Sequence, residues 1–336
     1  MNTPIPPNNV GLAVMTTLRN YGIDTIFGIP GTHNLEFYRH LAPLGIHPVT
    51  SRHEQGAGYG ADGWSQMTGL PGVVITTSGP GLLNAMSAAA TAYCESRPLI
   101  ILSPGAPRGS EFSDIGSLHE TRDPTGAVRA LIGRSTRVST GAEAVEVIHE
   151  AFALFAHGRP RPVHIEIPLD LLESANDVDP QLCAARDLGP ARNAAADALA
   201  AAVAVLAQAA NPVILAGGGS LRAGSALLEL AETLQAPVVT TLNGKGAIPE
   251  SHPLSLGSDI RLSAAQDLCN SADALLVIGS KVGEIGALGR QDRPAGHLHP
   301  DRHRSRPAGG QPVRGHRTGR QLGRRRAGTA GGLGQP

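Results

Sequence analysis

Hydrophobic residues in the first half of the chain form short continuous runs, and stretches with helical spacing lie between them. The runs predict strands at 24–27, 46–50, 72–77, 98–103 and 162–167. The spacing predicts helices at 9–21, from about 34, at 55–68, from 81 and near 141–157. Strands that are apolar throughout and alternate with helices are typical of a parallel sheet covered on both faces.

A second block of the same kind follows a polar, proline-containing segment. It predicts an Ala-rich helix to about 208, strands at 212–215, 237–240 and 272–279, and a helix at 221–234. We therefore expect an α/β fold with two tandem open parallel-sheet domains, helices on both faces and a basic tail. The expected boundaries are 1–175 for the first domain, 176–192 for a linker, 193–286 for the second domain and 287–336 for the tail.

Composition changes abruptly at the tail. Residues 287–336 contain 11 arginines, two acidic residues and no Phe, Trp, Tyr or Ile. A segment so poor in apolar residues cannot offset its conformational entropy by burial, so we expect it to be disordered. Unrelated sequence produced by a change of reading frame is the interpretation that we favour. Nucleic-acid binding is the disfavoured alternative, because the tail has no aromatic residue for stacking.

Composition elsewhere narrows the class of protein. Cys94, Cys183 and Cys269 are far apart and form no CxxC pair, so neither a disulfide framework nor a zinc site is expected. No apolar run approaches the roughly 18 residues of a membrane span, and the first residues do not resemble a signal peptide. We expect a soluble cytoplasmic protein without a membrane partner.

Three glycine-containing turns follow successive predicted strands: GIPG (28–31), RHEQGAG (52–58) and TTSGPGLLNA (76–85). In a parallel sheet such turns project from the carboxyl edge, where ligands bind in open α/β folds. Glu54 lies at this edge, between a strand that we expect to be buried and a helix. A carboxylate there serves either as a helix cap or as a catalytic group.

Four sequence segments resemble those of a known family: YGIDTIFGIPG, HEQGAGYGADGWSQMTG, GVVITTSGPGLLNAMSAAATAYCESRPLIIL and RPVHIEIPLD. They resemble the pyrimidine-binding domain of thiamine-diphosphate-dependent enzymes of the acetolactate synthase and 2-oxo acid decarboxylase type. Residues 211–250 are similar to that family's central domain, and the resemblance covers roughly 8–286. It implies that 1–175 is the pyrimidine-binding domain and that 193–286 is an incomplete central domain.

The resemblance also implies roles for individual residues. Glu54 is the expected catalytic glutamate, which hydrogen-bonds N1′ of the aminopyrimidine and so promotes loss of the proton from thiazolium C2. The implied cofactor-binding residues are Pro30, Gly31, Thr77, Gly79, Gly81 and Asn84. Tight turns, which any parallel sheet needs, are the alternative for these positions.

Departures from the family bear on the substrate. Leu118-His119-Glu120 replaces a Phe-Gln-Glu word of acetolactate synthases, and Leu169 replaces a lysine before Asp170. His119 is therefore a second catalytic candidate for proton transfer, with a surface histidine as the alternative. The loop that contains it looks more like those of decarboxylases of larger 2-oxo acids, including a group that acts on guanidino-oxo acids. Which 2-oxo acid is the substrate stays open.

By this resemblance, residues 1–336 carry only part of the family's cofactor-binding residues. The family binds the diphosphate and Mg²⁺ in a further domain through a GDG word and a later Asn-Asn pair, and residues 1–336 contain neither word in a matching place, so no metal ligands are expected. FAD is a candidate at GGGS (217–220), because some relatives bind it in this domain.

We therefore expect a truncated 2-oxo acid lyase or transferase that is inactive alone and forms a homo-oligomer. A dimerisation or regulatory partner of a full-length paralogue is the alternative. A dinucleotide-binding oxidoreductase fits poorly, because the first turn is not GxGxxG.

Overall fold

A computed structural model describes residues 8–190 and 193–282 of the chain. Two compact units divide the chain between residues 193 and 194. Residues 287–336, for which the sequence predicts a disordered tail, lie outside the described residues.

The first unit contains a six-stranded sheet in which every paired strand is parallel. Its strands are β1 Thr25–Gly28, β2 His47–Thr50, β3 Gly72–Ile75, β4 Leu99–Gly105, β5 Ser135–Arg137 and β6 Val163–Pro168. They lie in the order β2-β1-β3-β4-β6-β5. This order places β1, β2 and β3, which precede the three glycine-containing turns, next to one another.

Helices cover both faces of this sheet, as predicted. They are α1 Val10–Asn20, α2 Leu35–Tyr38, α3 Glu54–Thr68, α4 Pro80–Glu95, α5 Pro124–Ile132, α6 Gly141–His157 and α7 Leu169–Leu172. Along β4, Ile100 and Leu102 pack in the core that contains α1 and α6, whereas Leu99 and Ile101 pack in the core that contains α3, α4 and α5. Alternate residues of a strand point to opposite faces, so a strand between two helical layers is apolar throughout.

Two features of this sheet differ from the sequence prediction. Strand β2, which was expected to be buried, is largely exposed because it is the edge strand and pairs only with β1. Helix α5 and strand β5 were not predicted. The sequence Ser-Thr-Arg of β5 has no apolar run, and its position at the other edge of the sheet does not require one.

The segment expected as a linker, 176–192, contains residues that pack in the first unit. Residues Pro180–Cys183 form a short 3-10 helix, and Cys183 is buried in a cluster with Ala13 and Val145. The amide of Asn20 donates a hydrogen bond of 2.8 Å to the carbonyl oxygen of Cys183. This part of the segment therefore belongs to the packed structure of the first unit.

The second unit contains a three-stranded parallel sheet in the order β8-β7-β9. Its elements are α8 Ala196–Gln208, β7 Pro212–Ala216, α9 Gly224–Leu234, β8 Val238–Thr240, α10 Ser263–Ser271 and β9 Ala274–Ile278. Helix α10 was not predicted. The backbone after β7 runs against that after β9, so a Cβ at Gly217 would collide with the carbonyl oxygen of Gly279. Packing therefore accounts for this glycine of the GGGS word.

Within 8–190 and 193–282, no helix is long and apolar enough to cross a membrane.

Candidate functional site

The candidate site lies at the carboxyl edge of the first sheet, in the turns that follow β1, β2 and β3. Because these strands are neighbours, residues from three distant parts of the sequence come together there. Each turn contributes side chains to the same small region, as the following contacts show.

Glu54 is the first residue of α3, and it does not cap this helix. The cap is His53, whose Nδ1 accepts a hydrogen bond of 3.2 Å from the backbone N–H of Gln55. The carboxylate of Glu54 turns toward α4 instead, where its Oε2 accepts a hydrogen bond of 3.0 Å from Nδ2 of Asn84. No hydrogen bond to a described residue engages Oε1, so this oxygen is open to a ligand.

Gly81, in the first turn of α4, keeps space open beside this carboxylate. A Cβ at position 81 would lie 3.2 Å from Oε1 of Glu54 and 2.6 Å from Cγ2 of Thr77. Any larger side chain would push against Thr77 or against Oε1 of Glu54. The absence of a side chain at Gly81 thus helps to preserve the open position next to Glu54.

The turn after β1 approaches Thr77 from the other side. A Cβ at Gly31 would lie 3.7 Å from Cβ of Thr77, and Pro30 is exposed next to it. The buried side chain of Asn34 holds this turn: its Oδ1 accepts 2.8 Å from the N–H of Gly31 and its Nδ2 donates 3.0 Å to the carbonyl of Ile29. The turn is therefore fixed by hydrogen bonds at both of its ends.

His119 reaches the site from the long loop between β4 and α5. Its Nδ1 lies 3.4 Å from Oγ1 of Thr77, and its carbonyl oxygen occupies the space that a Cβ at Gly79 would need. Both residues have positive φ, +59° for His119 and +55° for Gly79. The loop and the turn after β3 are thus in close contact at His119 and Gly79, which are both candidates from the sequence.

His33 is a member of the site that sequence reasoning missed. Its Nδ1 shares a hydrogen bond of 2.6 Å with Oγ of Ser78, and its ring lies 5.5 Å from that of His119, centroid to centroid, at 80°. Burial lowers the pKa of His33, and the neighbouring His119 lowers it further. The signal was present in GIPGTHN, because His33 is an imidazole in a turn at the ligand-binding edge.

A cavity of about 310 Å³ opens beside these histidines, beneath the loop from Ala106 to Asp123. Arg137 and the buried Glu166 form an ion pair in its wall. Oγ1 of Thr125 donates a hydrogen bond of 2.5 Å to Glu166, and Arg137 also binds Glu111 at 2.8 Å. Hydrogen bonds from its own backbone N–H and from Arg137 lower the pKa of Glu111. Arg137, Glu111 and Glu166 are therefore held in place by bonds to one another.

The structure thus brings together the sequence-predicted residues in one connected set. Asn84 contacts Glu54, Glu54 and Thr77 border Gly81, and Thr77 contacts His119. Among the described residues, no group of three or more His, Cys, Asp or Glu side chains could hold a metal ion. The roles of these residues in binding and catalysis stay predictions.

Comparison with known proteins decides the family. The thiamine pyrophosphate enzyme N-terminal TPP-binding domain matches residues 8–125, and the thiamine pyrophosphate enzyme central domain matches 199–304. The chain belongs to the family of thiamine pyrophosphate-dependent enzymes. The second match extends beyond Gly286, where the sequence analysis placed the end of the central domain.

Similar proteins in this thiamine pyrophosphate enzyme family include decarboxylases and acetolactate synthases. A probable 2-ketoarginine decarboxylase of Pseudomonas aeruginosa is 40% identical over 275 residues, which are 82% of this chain and 49% of that protein. A probable acetolactate synthase large subunit of Methanocaldococcus jannaschii is 35% identical over 277 residues, 80% of this chain and 46% of that protein. The isozyme 3 large subunit of Escherichia coli acetolactate synthase is 37% identical over 250 residues, 73% of this chain and 43% of that protein. The chain spans about half the length of these relatives.

The residues at the carboxyl edge fit the aminopyrimidine part of the family cofactor. Such a ring needs a carboxylate partner, space beside it and a rigid frame. Glu54 offers an oxygen without a partner among the described residues, Asn84 orients its carboxylate, and Gly81 leaves the space.

Proposed function

We propose that the first unit binds the aminopyrimidine ring of thiamine diphosphate and that Glu54 hydrogen-bonds a ring nitrogen. The observation that carries this proposal is the carboxylate of Glu54, held through Oε2 by Asn84 and open at Oε1 beside Gly81. A helix cap, which was the alternative function of Glu54, is already provided by His53.

Glu54 serves as the proton partner of the ring. Its carboxyl group would hydrogen-bond the pyrimidine nitrogen and hold a proton there, which would make the exocyclic nitrogen available as a base. Asn84 keeps the carboxylate aimed, because its hydrogen bond restricts rotation of the Glu54 side chain. The cofactor, when bound, supplies the carbon nucleophile and electron sink for chemistry on a carbonyl carbon.

The substrate that we propose is a 2-oxo acid. This rests on the names of the relatives, which are a probable 2-ketoarginine decarboxylase and acetolactate synthases. Decarboxylation is the first choice for this chain, because the decarboxylase has the higher identity of these proteins, 40%. Transfer to a second 2-oxo acid, as the name acetolactate synthase implies for the other relatives, is the second choice.

We further propose that turnover requires groups beyond those in residues 1–336. The GDG word and the later Asn-Asn pair by which the family is expected to hold the diphosphate and Mg²⁺ do not occur in matching places in this sequence. A second copy of the pyrimidine site is therefore insufficient, and a polypeptide that carries those groups is required. Micromolar binding of thiamine diphosphate with Mg²⁺ to this chain, measured by isothermal titration calorimetry, would contradict this part of the proposal.

The role of Glu54 is tested with thiamine, which carries the aminopyrimidine but no diphosphate. Its affinity is measured by ligand-observed NMR for the unchanged chain, for Glu54→Gln and for Glu229→Gln, an exposed acid of α9 in the other unit. We expect Glu54→Gln to weaken binding about tenfold or more, because it removes a charge-assisted hydrogen bond. Glu229→Gln should bind thiamine like the unchanged chain. Equal affinity of the Glu54→Gln variant would refute the role of Glu54.

A further inference from the structure

His33 and His119 form a pair of imidazoles whose outer nitrogens face no described partner. Each ring uses Nδ1 toward a hydroxyl group of the turn after β3: His33 toward Ser78 at 2.6 Å and His119 toward Thr77 at 3.4 Å. No hydrogen bond to a described residue engages either Nε2. Both residues border the cavity of about 310 Å³. The pair therefore offers two ring nitrogens to a ligand.

The frame around His33 is rigid enough to present its ring in one orientation. The next residue, Asn34, is fully buried and bonds to both ends of the turn. The ring of His119 meets the ring of His33 edge to face, with 5.5 Å between the centroids. A recognition site needs this kind of support, because loosely held side chains lose affinity to conformational entropy.

Six charged side chains line the cavity besides the two histidines. They are Glu111, Glu120, Asp123, Glu166, Arg122 and Arg137. Glu111 and Glu166 bind Arg137, Glu120 accepts from the backbone N–H groups of Ile115 and Gly116, and Asp123 accepts from that of Gly126. Each of the four carboxylates that line the cavity therefore already accepts a hydrogen bond, and the two imidazoles, together with the exposed Arg122, are the donors left for a carboxylate ligand.

We propose that His33 and His119 together bind the carboxylate of the 2-oxo acid at the mouth of the cavity. The substrate class is taken from the proposed function, on which this inference rests. His33 is the new member of the site, and its Nε2–H donates to one carboxylate oxygen while His119 donates to the other. The hydroxyl group of Ser78 fixes the ring of His33 through Nδ1.

The pair couples carboxylate binding to proton uptake. His33 loses affinity for a proton through burial and through His119, so two positive charges on the pair are unfavourable without a ligand. A carboxylate bound at Nε2 of His33 favours the charged ring and so raises the pKa of His33. Affinity for the carboxylate should therefore fall as pH rises through the pKa that His33 has in the complex.

The experiment uses pyruvate as the probe, with the full chain and without thiamine. Ring nitrogen resonances of the histidines are followed by two-dimensional NMR during pH titrations with pyruvate and with its methyl ester, which lacks the charge. We expect pyruvate, and not the ester, to raise the pKa of His33 and to shift the Nε2 resonances of both His33 and His119. His33→Gln should weaken pyruvate binding at pH 6 about tenfold, the loss expected for one charge-assisted hydrogen bond. His157→Gln, at the exposed end of α6, is the matched control and should change nothing.

Three results separate this inference from the proposed function. If saturating pyruvate leaves the resonances of His33 unmoved, or if the methyl ester binds equally well, the carboxylate site is refuted. If thiamine binds through Glu54 in that same chain, the proposed function survives that failure. If thiamine binding is insensitive to Glu54→Gln while pyruvate still shifts His33, the proposed role of Glu54 fails and the carboxylate site stands.

Discussion

At position 79 of the candidate site, only glycine fits without strain. This residue has a φ of +55°, and the carbonyl oxygen of His119 fills the position of a Cβ. We expect Gly79→Ala to lower the free energy of unfolding by about 2 kcal/mol or more, since the new residue is strained and must displace the loop. Urea denaturation followed by circular dichroism measures this loss.

The control for Gly79 is another glycine of the same unit. Gly63 lies within α3, and a Cβ there would meet no atom within 4 Å. Gly63→Ala should stabilise the protein by about 0.5–1 kcal/mol, because alanine loses less conformational entropy in a helix. A Gly79→Ala variant as stable as Gly63→Ala would show that position 79 is not constrained as described.

Glu54 illustrates which properties of a single residue follow from its place in the sequence. The sequence predicts a helix cap or a catalytic group at Glu54, because an acid at a strand-to-helix junction has only a few uses. In the structure His53 provides the cap and Asn84 binds the carboxylate of Glu54, so Glu54 is not the cap and its catalytic role stays a prediction. Both contacts depend on side-chain orientation, which the residue order does not reveal.

At the scale of elements, His164 connects three strands of the first sheet. It lies on β6, where its Nε2 bonds to Ser103 on β4 at 2.8 Å and its Nδ1 to Ser135 on β5 at 2.7 Å. Complete burial lowers the pKa of His164 to about 3. The unfolded chain, with a pKa near 6.5, therefore binds a proton at mildly acidic pH that the folded chain does not bind.

This difference predicts a loss of stability in acid. The contribution of neutral His164 to the free energy of unfolding is fully present above pH 6.5, which is the pKa of histidine in the unfolded chain. This contribution declines as pH falls from about 6.5 toward 3, the pKa of His164 in the folded chain. Between pH 6.5 and pH 5 the loss from this group should be about 2 kcal/mol, since each pH unit contributes about 1.4 kcal/mol. Denaturation curves at several pH values measure the slope. His164→Gln should flatten that slope, whereas His157→Gln should keep it; an unchanged slope in His164→Gln would contradict the assignment.

Arg137, on the edge strand β5, binds the loop from Ala106 to Asp123, which covers the cavity. It pairs with Glu166 on β6, binds Glu111 and donates 2.6 Å to the carbonyl of Ala106. Glu166 is only 2% exposed, so Arg137→Met leaves a buried carboxylate without its cation. We expect a loss of about 3 kcal/mol in unfolding free energy, together with faster proteolysis of the loop.

A surface ion pair provides the comparison for Arg137. Arg186 and Glu146 also form an ion pair, but both side chains are 48% exposed. Arg186→Met should therefore cost less than about 1 kcal/mol. If the two arginine variants lose the same stability in urea, burial of Glu166 does not control the energetics of this loop.

For the whole molecule, each of the two units has its own hydrophobic cores. Leu102 lies in a core of the first unit, and Leu227 lies in a core of the second. Replacing either leucine by alanine should cost about 2–5 kcal/mol through lost burial and a new cavity. We expect Leu102→Ala to reduce hydrogen-exchange protection mainly in β1 to β6, and Leu227→Ala mainly in β7 to β9. Equal loss of protection in both units after either change would contradict separate cores.

The sequence by itself determined the α/β architecture and the edge at which the site lies. Apolar runs, helical spacing and glycine-containing turns are local properties, and they follow from the backbone geometry of strands, helices and turns. The family words within 8–286 also depend only on the order of residues. These features therefore needed no knowledge of contacts between distant segments.

Only the tertiary structure decided which segments meet. The order β2-β1-β3 leaves β2 exposed at an edge and gathers the three turns, while the loop after β4 brings His119 against His33. Pairing of strands and side chains that are distant in sequence is set by packing of the whole unit. For that reason the exposure of β2, the partner of Glu54 and the paired imidazoles were not readable from the residue order.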